Sequence, residues 1–216
     1  VESIRNSTMK RVGKAGGDSE YEKSLYSLYD YYFTAGLDHS AIPVLLALSV
    51  TVLGEPVSER FITEIINGSG EEKIIPAECR RRIGLCAGML EQVNSDTVDS
   101  KGKTGVKETC RLRHQSIREF FESSDSLYDL SSYSDAVKSL VTEWNNPDDD
   151  IRLYALKYAV KHCCDQGDYI SAENLLTDFD YLMERTKAGF LENIFDDYKR
   201  FMKEASDEVQ KRILYW

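Results

Sequence analysis

The chain has 216 residues, of which 42% are hydrophobic and 30% charged, so a buried core of ordinary size is expected. Its net charge of −10 is uneven, because residues 123–216 hold 11 basic and 19 acidic groups, a net charge of −8. Acidic surfaces repel phosphate backbones, which makes that part unsuited to nucleic-acid binding. The longest apolar run, residues 41–53, is too short to cross a bilayer, so no membrane span is expected.

The first part of the chain is expected to be a flexible lead-in, residues 1–20, because it is rich in glycine and poor in apolar groups. The absence of an initial Met favours a fragment of a longer protein, and no signal peptide is visible. From Tyr21 a first helix is predicted, capped by Asp18 or Ser19 and ended by Gly36. Its apolar face has helical spacing: Leu25, Leu28, Tyr29, Tyr32 and Phe33.

Residues 21–122 show the pattern of three helices followed by a hairpin with a long tip, which is the element order of a winged-helix domain and predicts that fold. An apolar helix at 41–53 is followed by one that Ser58 caps and Asn67-Gly68 ends, with Phe61, Ile62, Ile65 and Ile66 buried. A further helix is predicted over residues 76–93, with Ile83, Cys86, Leu90 and Val93 on one face. An exposed loop at 94–105 and a strand at 106–113 come next, and the tail of the 76–93 helix is the candidate for the partner strand of a hairpin.

Residues 123–216 are predicted to form an acidic, all-α domain, which makes the fold class mainly α. Asp148, Asp149 and Asp150 suit the start of a helix better than a cation site. A turn at Gly167-Asp168 leads into a helix that is expected to continue through Phe179, Leu182 and Met183. Asp196-Asp197 is interpreted as a solvated face. The helix–turn–helix at 150–187 is similar to one tetratricopeptide-type hairpin, within a compact bundle.

The motifs of common enzymes are absent from the sequence: it has no phosphate loop, dinucleotide fingerprint, HExxH or serine elbow. We therefore expect no enzymatic activity from this chain. Five cysteines without a CxxC pair favour reduced, structural thiols, and three scattered histidines favour no metal site. His162 is expected to be a half-exposed helix residue.

Two short stretches could bind a ligand. Arg80, Arg81 and Arg82 lie on the predicted helix that could enter a DNA groove, with Lys101, Lys103 and Lys107 on the predicted wing. Glutamates surround the triplet, which favours a solvated or ion-paired face over DNA contact. His114 lies where a strand passes into a helix, within RLRHQSIREFF at residues 111–121, and Ile117, Phe120 and Phe121 of that helix are expected to pack inward.

RLRHQSIREFF resembles the histidine motif that ends the winged-helix domain of STAND-class NTPases, the NACHT and NB-ARC proteins. The segment 154–189 resembles the helical region of members that continue into WD repeats, through Tyr154-Ala155, Gly167-Asp168-Tyr169 and Asp178-Phe179-Asp180-Tyr181-Leu182. The stretch LLALSVTVLGEPVSERFITEII is similar to the entry of that winged helix. The resemblance covers about residues 24–200, and Arg113-His114-Gln115 stands where plant receptors have Met-His-Asp.

This resemblance implies that His114 contacts the β-phosphate of ADP held by a nucleotide-binding domain upstream, which these 216 residues do not contain. No cofactor is expected in the chain itself, and ADP or ATP is expected in the parent protein. The expected partners are that upstream domain, a downstream repeat domain and further copies upon activation, in the cytoplasm. Two alternatives stay open: an α-helical protein-interaction scaffold without nucleotide, and a winged-helix DNA binder that uses Arg80, Arg81 and Arg82.

Overall fold

A computed structural model describes residues 20–98, 104–123, 128–205 and 207–214. The predicted lead-in therefore lies outside the described residues except for Glu20, as do the proposed caps Asp18 and Ser19. The chain divides into two compact units, Val1–Tyr133 and Ser134–Trp216, called unit 1 and unit 2 below. The prediction of a mainly α chain with a small hairpin is confirmed, since helices dominate and one three-stranded antiparallel sheet is present in the described part.

Unit 1 alternates helices with short strands. Its elements are α1 (Glu20–Tyr31), a π-helical turn (Tyr32–Gly36), a 3-10 turn (His39–Ala41), α2 (Ile42–Ser49), β1 (Val57–Ser58), α3 (Glu59–Ser69), α4 (Pro76–Leu85), a 3-10 turn (Ala87–Met89), β2 (Leu90–Val98), β3 (Thr104–Leu112) and α5 (Gln115–Ser123). Ser58 caps α3 by accepting a hydrogen bond from the Phe61 amide, as predicted. Gly70, at φ +79°, ends that helix in place of the predicted Asn67-Gly68.

The sheet has the order β1-β3-β2. Antiparallel pairing runs from Leu90 opposite Leu112 to Val98 opposite Thr104, and Val57 of β1 pairs with Cys110. The prediction of one helix over 76–93 is wrong in its second half, because α4 ends at Leu85 and residues 90–98 form β2. A full ladder of backbone hydrogen bonds outweighs a helical spacing of four apolar residues. The predicted 94–105 loop is correspondingly shorter, since only residues 99–103 separate the described strands.

The core of unit 1 is built on α2, whose residues 44–49 are all buried, as expected of a helix that is apolar on every side. The predicted stripe of α3 is buried too: Phe61, Ile62, Ile65 and Ile66. On α1 the prediction is wrong for Leu28, which is exposed, whereas Tyr29 and Phe33 are buried. Both rings pack against Phe120 of α5, with centroids 5.7 and 5.3 Å apart.

The secondary-structure elements among the described residues of unit 2 are all helices. Helix α6 (Ser131–Thr142) begins in unit 1, and α7 (Asp149–Asp165), α8 (Tyr169–Thr177), α9 (Phe179–Lys187), α10 (Leu191–Glu204) and α11 (Asp207–Leu214) follow. Asp148 caps α7 through the amides of Asp150 and Ile151, which confirms the predicted capping role of the acidic triplet. The predicted turn at Gly167-Asp168 is also present. No helix among the described residues is both long enough and apolar enough to cross a membrane.

The helix after the Gly167-Asp168 turn was predicted to continue through Phe179. Helix α8 instead ends at Thr177, two residues before Phe179. Asp178 is extended, at ψ 108°, and its side chain accepts hydrogen bonds from the amides of Asp180 and Tyr181. An aspartate that caps the next turn interrupts the helix it follows, because its own backbone leaves the helical region. Phe179 and Met183 are consequently exposed on a new helix, α9.

Several polar groups of unit 2 lie deeper than the sequence indicated. His162 is buried and its Nε2 lies 3.0 Å from the Tyr154 hydroxyl, so the expected half-exposed position is wrong. Cys163 and Cys164 are buried thiols, as are the three cysteines of unit 1. Burial raises the pKa of Cys163 and that of Cys164 to about 12. Thiols with such pKa values are protonated at neutral pH, which agrees with the predicted structural role.

Candidate functional site

The 111–121 stretch forms the end of β3, a two-residue junction and the start of α5. Leu112 ends the strand opposite Leu90. The Arg113 amide donates to the Met89 carbonyl (2.9 Å) and its Nη2 to the Leu90 carbonyl (3.0 Å). The His114 carbonyl then accepts the Ile117 amide (3.2 Å), which places His114 directly before the first turn of α5. The junction is therefore held to β2 on one side and to α5 on the other.

Two further arginines tie the same stretch to the segment that follows α2. Arg111 Nη1 donates to the Gly54 carbonyl (2.7 Å), and Arg118 Nη1 donates to the Thr51 carbonyl (3.1 Å). Carbonyls just past a helix end lack helical partners, so guanidinium groups satisfy them well. Together with Arg113, all three arginines of the stretch bind main-chain oxygens, and the position of the junction is fixed by the core of unit 1.

The inner face of α5 completes this anchoring. Ile117, Phe120 and Phe121 are buried, which confirms the predicted inward face. Ser116 Oγ lies 2.9 Å from the Tyr29 hydroxyl of α1. Burial of two phenylalanines and an isoleucine contributes about 1.5–3 kcal/mol each, so α5 is held firmly.

His114 itself faces solvent. The residue is exposed, and its imidazole makes no hydrogen bond or ion pair with any residue that the structure describes. Two of the three arginines of residues 111–121 are paired with carboxylates, Arg111 with Glu91 (3.0 Å) and Arg118 with Glu122 (2.7 Å), so Arg113 is the arginine that adds positive charge without an ion pair among the described residues. A rigidly mounted, exposed imidazole can donate a hydrogen bond to a phosphate or carboxylate oxygen of a neighbouring domain.

A shallow depression next to the junction does not offer room for a nucleotide. It encloses only about 10 Å³ and is lined by Leu48 and residues 51–55 together with Arg111, Leu112 and Arg118, and His114 is not part of its lining. Pockets that enclose drug-sized ligands have volumes of about 300–1,000 Å³. Any nucleotide that His114 contacts would therefore be held mainly by residues other than those that line this depression.

The second predicted site, the arginine triplet, lies on α4. Arg80 pairs with Glu59 (2.6 Å) and Arg81 with Glu78 (2.8 Å), both at the surface. Arg82 points inward, is 8% exposed and lies between Glu72 and Glu78, at 2.5 and 2.8 Å. The ion pairs that the sequence offered as an alternative to DNA contact are thus present. Of the predicted wing lysines, Lys101 and Lys103 lie outside the described residues, as does the side chain of Lys107.

These pairs also set the charge state of α4. Hydrogen bonds from Arg81 and Arg82 lower the pKa of Glu78 to about 2. Each arginine of the triplet has a carboxylate within 3 Å, so the face carries less free positive charge than the sequence alone implies. A phosphate backbone would compete with these carboxylates for the guanidinium groups.

The sequence missed a charged pair in the core of unit 2. Asp197 was interpreted as solvated, but it is 6% exposed and its Oδ2 lies 2.7 Å from Arg185 Nη2. Ile194, Asp197 and Phe201 share the buried face of α10 at spacings of three and four. That spacing was the available signal, and the acidic type of the residue concealed it.

Arg185 is 0% exposed, and its Nε and Nη1 have no hydrogen-bond partner in the part of the chain that is described. Its guanidinium carbon lies 5.2 Å from the centre of the Tyr181 ring. Burial raises the pKa of Asp197, and the positive charge of Arg185 opposes that rise. Within the described residues, no three histidine, cysteine or acidic side chains group in a way that could hold a metal ion.

Comparison with known proteins gives no relative: no protein-family model, no curated protein and no solved structure matches the chain. The functional assignment therefore depends on the residues and their geometry.

Proposed function

We propose that the chain is a non-catalytic regulatory and assembly module of a STAND-type signalling NTPase. In this proposal unit 1 is a winged helix whose His114 contacts ADP, and unit 2 is the helical arm that transmits the switch. The observation that carries the proposal is His114 itself, an exposed imidazole on a junction that three arginines fix to main-chain oxygens.

The topology of unit 1 supports the winged-helix part. Helix α2, strand β1, helices α3 and α4 and the β2–β3 hairpin follow one another in that order, and the sheet order is β1-β3-β2. Three helices followed by a hairpin that pairs with a short strand between the first two helices is the arrangement of a winged helix. In the proposal α5, which begins directly after His114, is the last helix of this domain.

The proposal requires only one hydrogen bond from His114. The nucleotide would be bound by a phosphate-loop domain of the parent, and the imidazole would donate one hydrogen bond to a phosphate oxygen. Such a charge-assisted bond contributes about 1.5–3 kcal/mol, which biases a two-state equilibrium roughly tenfold to a hundredfold. Loss of the contact would release unit 1 from the nucleotide domain and allow the parent to assemble with further copies in the cytoplasm.

The test is made in the parent protein, whose sequence before Val1 must encode a phosphate loop for the proposal to hold. We expect His114→Ala to accelerate ADP loss about tenfold to a hundredfold, measured as nucleotide content against time by chromatography. Gln115→Ala is the matched control, because that side chain is exposed and its amide bonds only Glu119 (2.7 Å). Equal ADP retention in wild type and His114→Ala, with both proteins folded, would refute the nucleotide contact.

A further inference from the structure

The stretch of chain around the boundary of the two units is rich in serine and acidic residues. Residues 122–135 hold six serines and four acidic residues, and no lysine, arginine or histidine. The boundary itself falls after Tyr133. Serines beside acidic residues suit a protein kinase whose substrate groove is basic, because the acidic side chains complement that groove. The composition therefore makes residues 122–135, called the acidic serine segment below, a candidate for phosphorylation.

Two serines of the acidic serine segment have an aspartate three positions later. Ser126 stands in this relation to Asp129, and Ser126 lies outside the described residues. Ser132 stands in the same relation to Asp135. Ser132 is partly exposed in the first turn of α6, and Asp135 is exposed. The first amides of a helix have no helical partners, so this turn opens more readily than a helix interior and a kinase can reach Ser132 there.

The Ser132 hydroxyl donates a hydrogen bond to a carboxylate of unit 1. Its Oγ lies 3.3 Å from Glu71 Oε1, and the Tyr133 hydroxyl donates to Glu71 Oε2 (2.9 Å). Glu71 directly follows Gly70, the residue that ends α3, and Tyr133 is fully buried. One carboxylate therefore binds two successive side chains of α6 and holds the first turn of that helix beside the end of α3.

The chain is held on both sides of this carboxylate as well. Before α6, the Tyr128 ring packs edge-on against Phe121 of α5, with centroids 5.2 Å apart. Later in α6, the Ser134 carbonyl accepts a hydrogen bond from Gln166 Nε2 (2.6 Å), and both of these residues belong to unit 2. The hydrogen bonds to Glu71 thus lie at the point where α6 passes from unit 1 into unit 2.

A phosphate on Ser132 would enter negatively charged surroundings. The Glu71 carboxylate lies 3.3 Å from the oxygen that would carry it, and Asp129, which is exposed, precedes Ser132 by three residues. Lys73, the basic residue closest to Glu71 in the chain, donates to the Asn67 carbonyl instead. A phosphoserine carries about −1.5 to −2 charges at neutral pH and repels an adjacent carboxylate. The helix itself would tolerate the phosphate, because the amides of a helix N-terminus favour negative charge.

We propose that Ser132 is a phosphorylation site and that its phosphate releases the start of α6 from Glu71. A serine kinase with a basic substrate groove would transfer the γ-phosphate of ATP: the Ser132 oxygen bonds to phosphorus, the bond to ADP breaks, and the hydroxyl proton passes to a base of the kinase. The esterified oxygen no longer donates to Glu71, and repulsion separates that carboxylate from Tyr133. This regulation does not depend on the nucleotide contact of His114.

The first experiment incubates the full chain with ATP, Mg²⁺ and a serine kinase of the casein kinase type, which acts on acidic substrates, and locates phosphate by mass spectrometry. Ser126→Ala is the starting protein, because it removes the other serine of the pattern. We expect phosphate at Ser132, and Asp135→Asn should slow its incorporation about tenfold by removing an acidic recognition group. Ser139 is the internal control, since it is exposed on α6 and has no acidic residue three positions later. Phosphate at Ser139 as fast as at Ser132, or none at Ser132, would overturn the proposal.

The second experiment measures whether the phosphate releases α6, by hydroxyl-radical footprinting of tyrosine side chains. We expect phosphorylation of Ser132 to raise the labelling rate of Tyr133 about tenfold, because a buried ring becomes accessible when the first turn leaves Glu71. Tyr181 is the matched control, since it is also fully buried but lies in unit 2, and its labelling rate should not change. Equal labelling of Tyr133 with and without phosphate would refute the release.

Glu71→Gln separates the effect of charge from a merely structural effect. Its amide oxygen can still accept from the Tyr133 hydroxyl but carries no charge, so phosphorylation of Ser132 should then leave the labelling of Tyr133 unchanged. Ser132→Ala removes the hydroxyl without adding charge and should raise that labelling less than the phosphate does. Circular dichroism establishes that each variant is folded. A phosphate effect that persists in Glu71→Gln, or that Ser132→Ala equals, would contradict repulsion from Glu71 as its cause.

Discussion

The arginines of α4 and Arg185, in the core of unit 2, are paired in opposite environments. Arg80 and Arg81 lie at the surface, and each has a carboxylate partner. Arg185 is fully buried, with one ion pair and two N–H groups that lack a partner in the described part of the chain. Ion pairs in water contribute about 0–1 kcal/mol, whereas breaking a buried pair costs about 3–5 kcal/mol. Burial, and not the density of arginines, decides how much a charged pair affects stability.

The largest effect is expected from breaking the buried pair. Arg185→Met should lower the free energy of unfolding of unit 2 by about 3–5 kcal/mol, because it leaves the Asp197 carboxylate buried without its ion-pair partner. Urea unfolding can be followed by the fluorescence of Trp144, whose ring lies 5.7 Å from that of Tyr181. A Trp216→Phe background makes Trp144 the sole tryptophan, since the chain has two.

The double variant Arg185→Met with Asp197→Leu sharpens the comparison. It removes both charges and the two unsatisfied N–H groups of Arg185, so we expect stability between that of wild type and about 1–4 kcal/mol above it. If Arg185→Met alone unfolds at the wild-type urea concentration, the pair contributes no more than a surface pair and the contrast with α4 fails.

Elements that depend on local sequence alone could be predicted, whereas elements that depend on a partner elsewhere in the chain could not. The α2 helix was predictable because every one of its residues 44–49 is buried, so no partner had to be known. The β2 strand was not, because only its pairing with β3 decides between helix and strand. The paired residues lie 6 positions apart at Val98 and Thr104 but 22 apart at Leu90 and Leu112. Asp197 was misassigned for a related reason: its partner Arg185 lies on the preceding helix.

The candidate site shows a similar division. The position of His114 before a helix follows from the local sequence, and so does the inward face formed by Ile117, Phe120 and Phe121. The carbonyls that receive Arg111 and Arg118 belong to residues more than fifty positions earlier, Gly54 and Thr51. No local pattern identifies such partners, because a carbonyl oxygen is present at every residue.

An intermediate effect is expected at Arg82, which is the inward-facing member of the triplet. Both terminal nitrogens of Arg82 donate hydrogen bonds to the Glu72 carboxylate, at 2.5 and 2.9 Å, and Arg82 is largely buried. Glu72→Gln should therefore cost about 1.5–3 kcal/mol of unfolding free energy, the contribution of hydrogen bonds to charged groups. Arg80→Gln removes an exposed pair and should cost less than about 0.5 kcal/mol. Hydrogen exchange of α4 amides measures both, and equal costs would contradict the role given to burial.

The smallest effect is expected at Glu78 and depends on pH. Its pKa is about 2 in the folded chain, where Arg81 and Arg82 donate hydrogen bonds to it, against an ordinary value of 4.5. A carboxylate whose pKa is lowered by folding contributes stability above its unfolded pKa and loses that contribution as pH falls. The Glu78 contribution should therefore be complete above about pH 5 and disappear between pH 4.5 and 2.

Glu78→Gln isolates this contribution, because other carboxylates titrate equally in both proteins. The difference in urea midpoint between wild type and Glu78→Gln should shrink as pH falls through the window from 4.5 to 2. Glu64→Gln on α3 is the matched control, since Glu64 is exposed and has no ion pair among the described residues, and its difference from wild type should stay near zero throughout. If the difference in urea midpoint between wild type and Glu78→Gln is constant with pH, solvent screens Arg81 and Arg82 fully. In that case exposed ion pairs do not affect stability through their charge state.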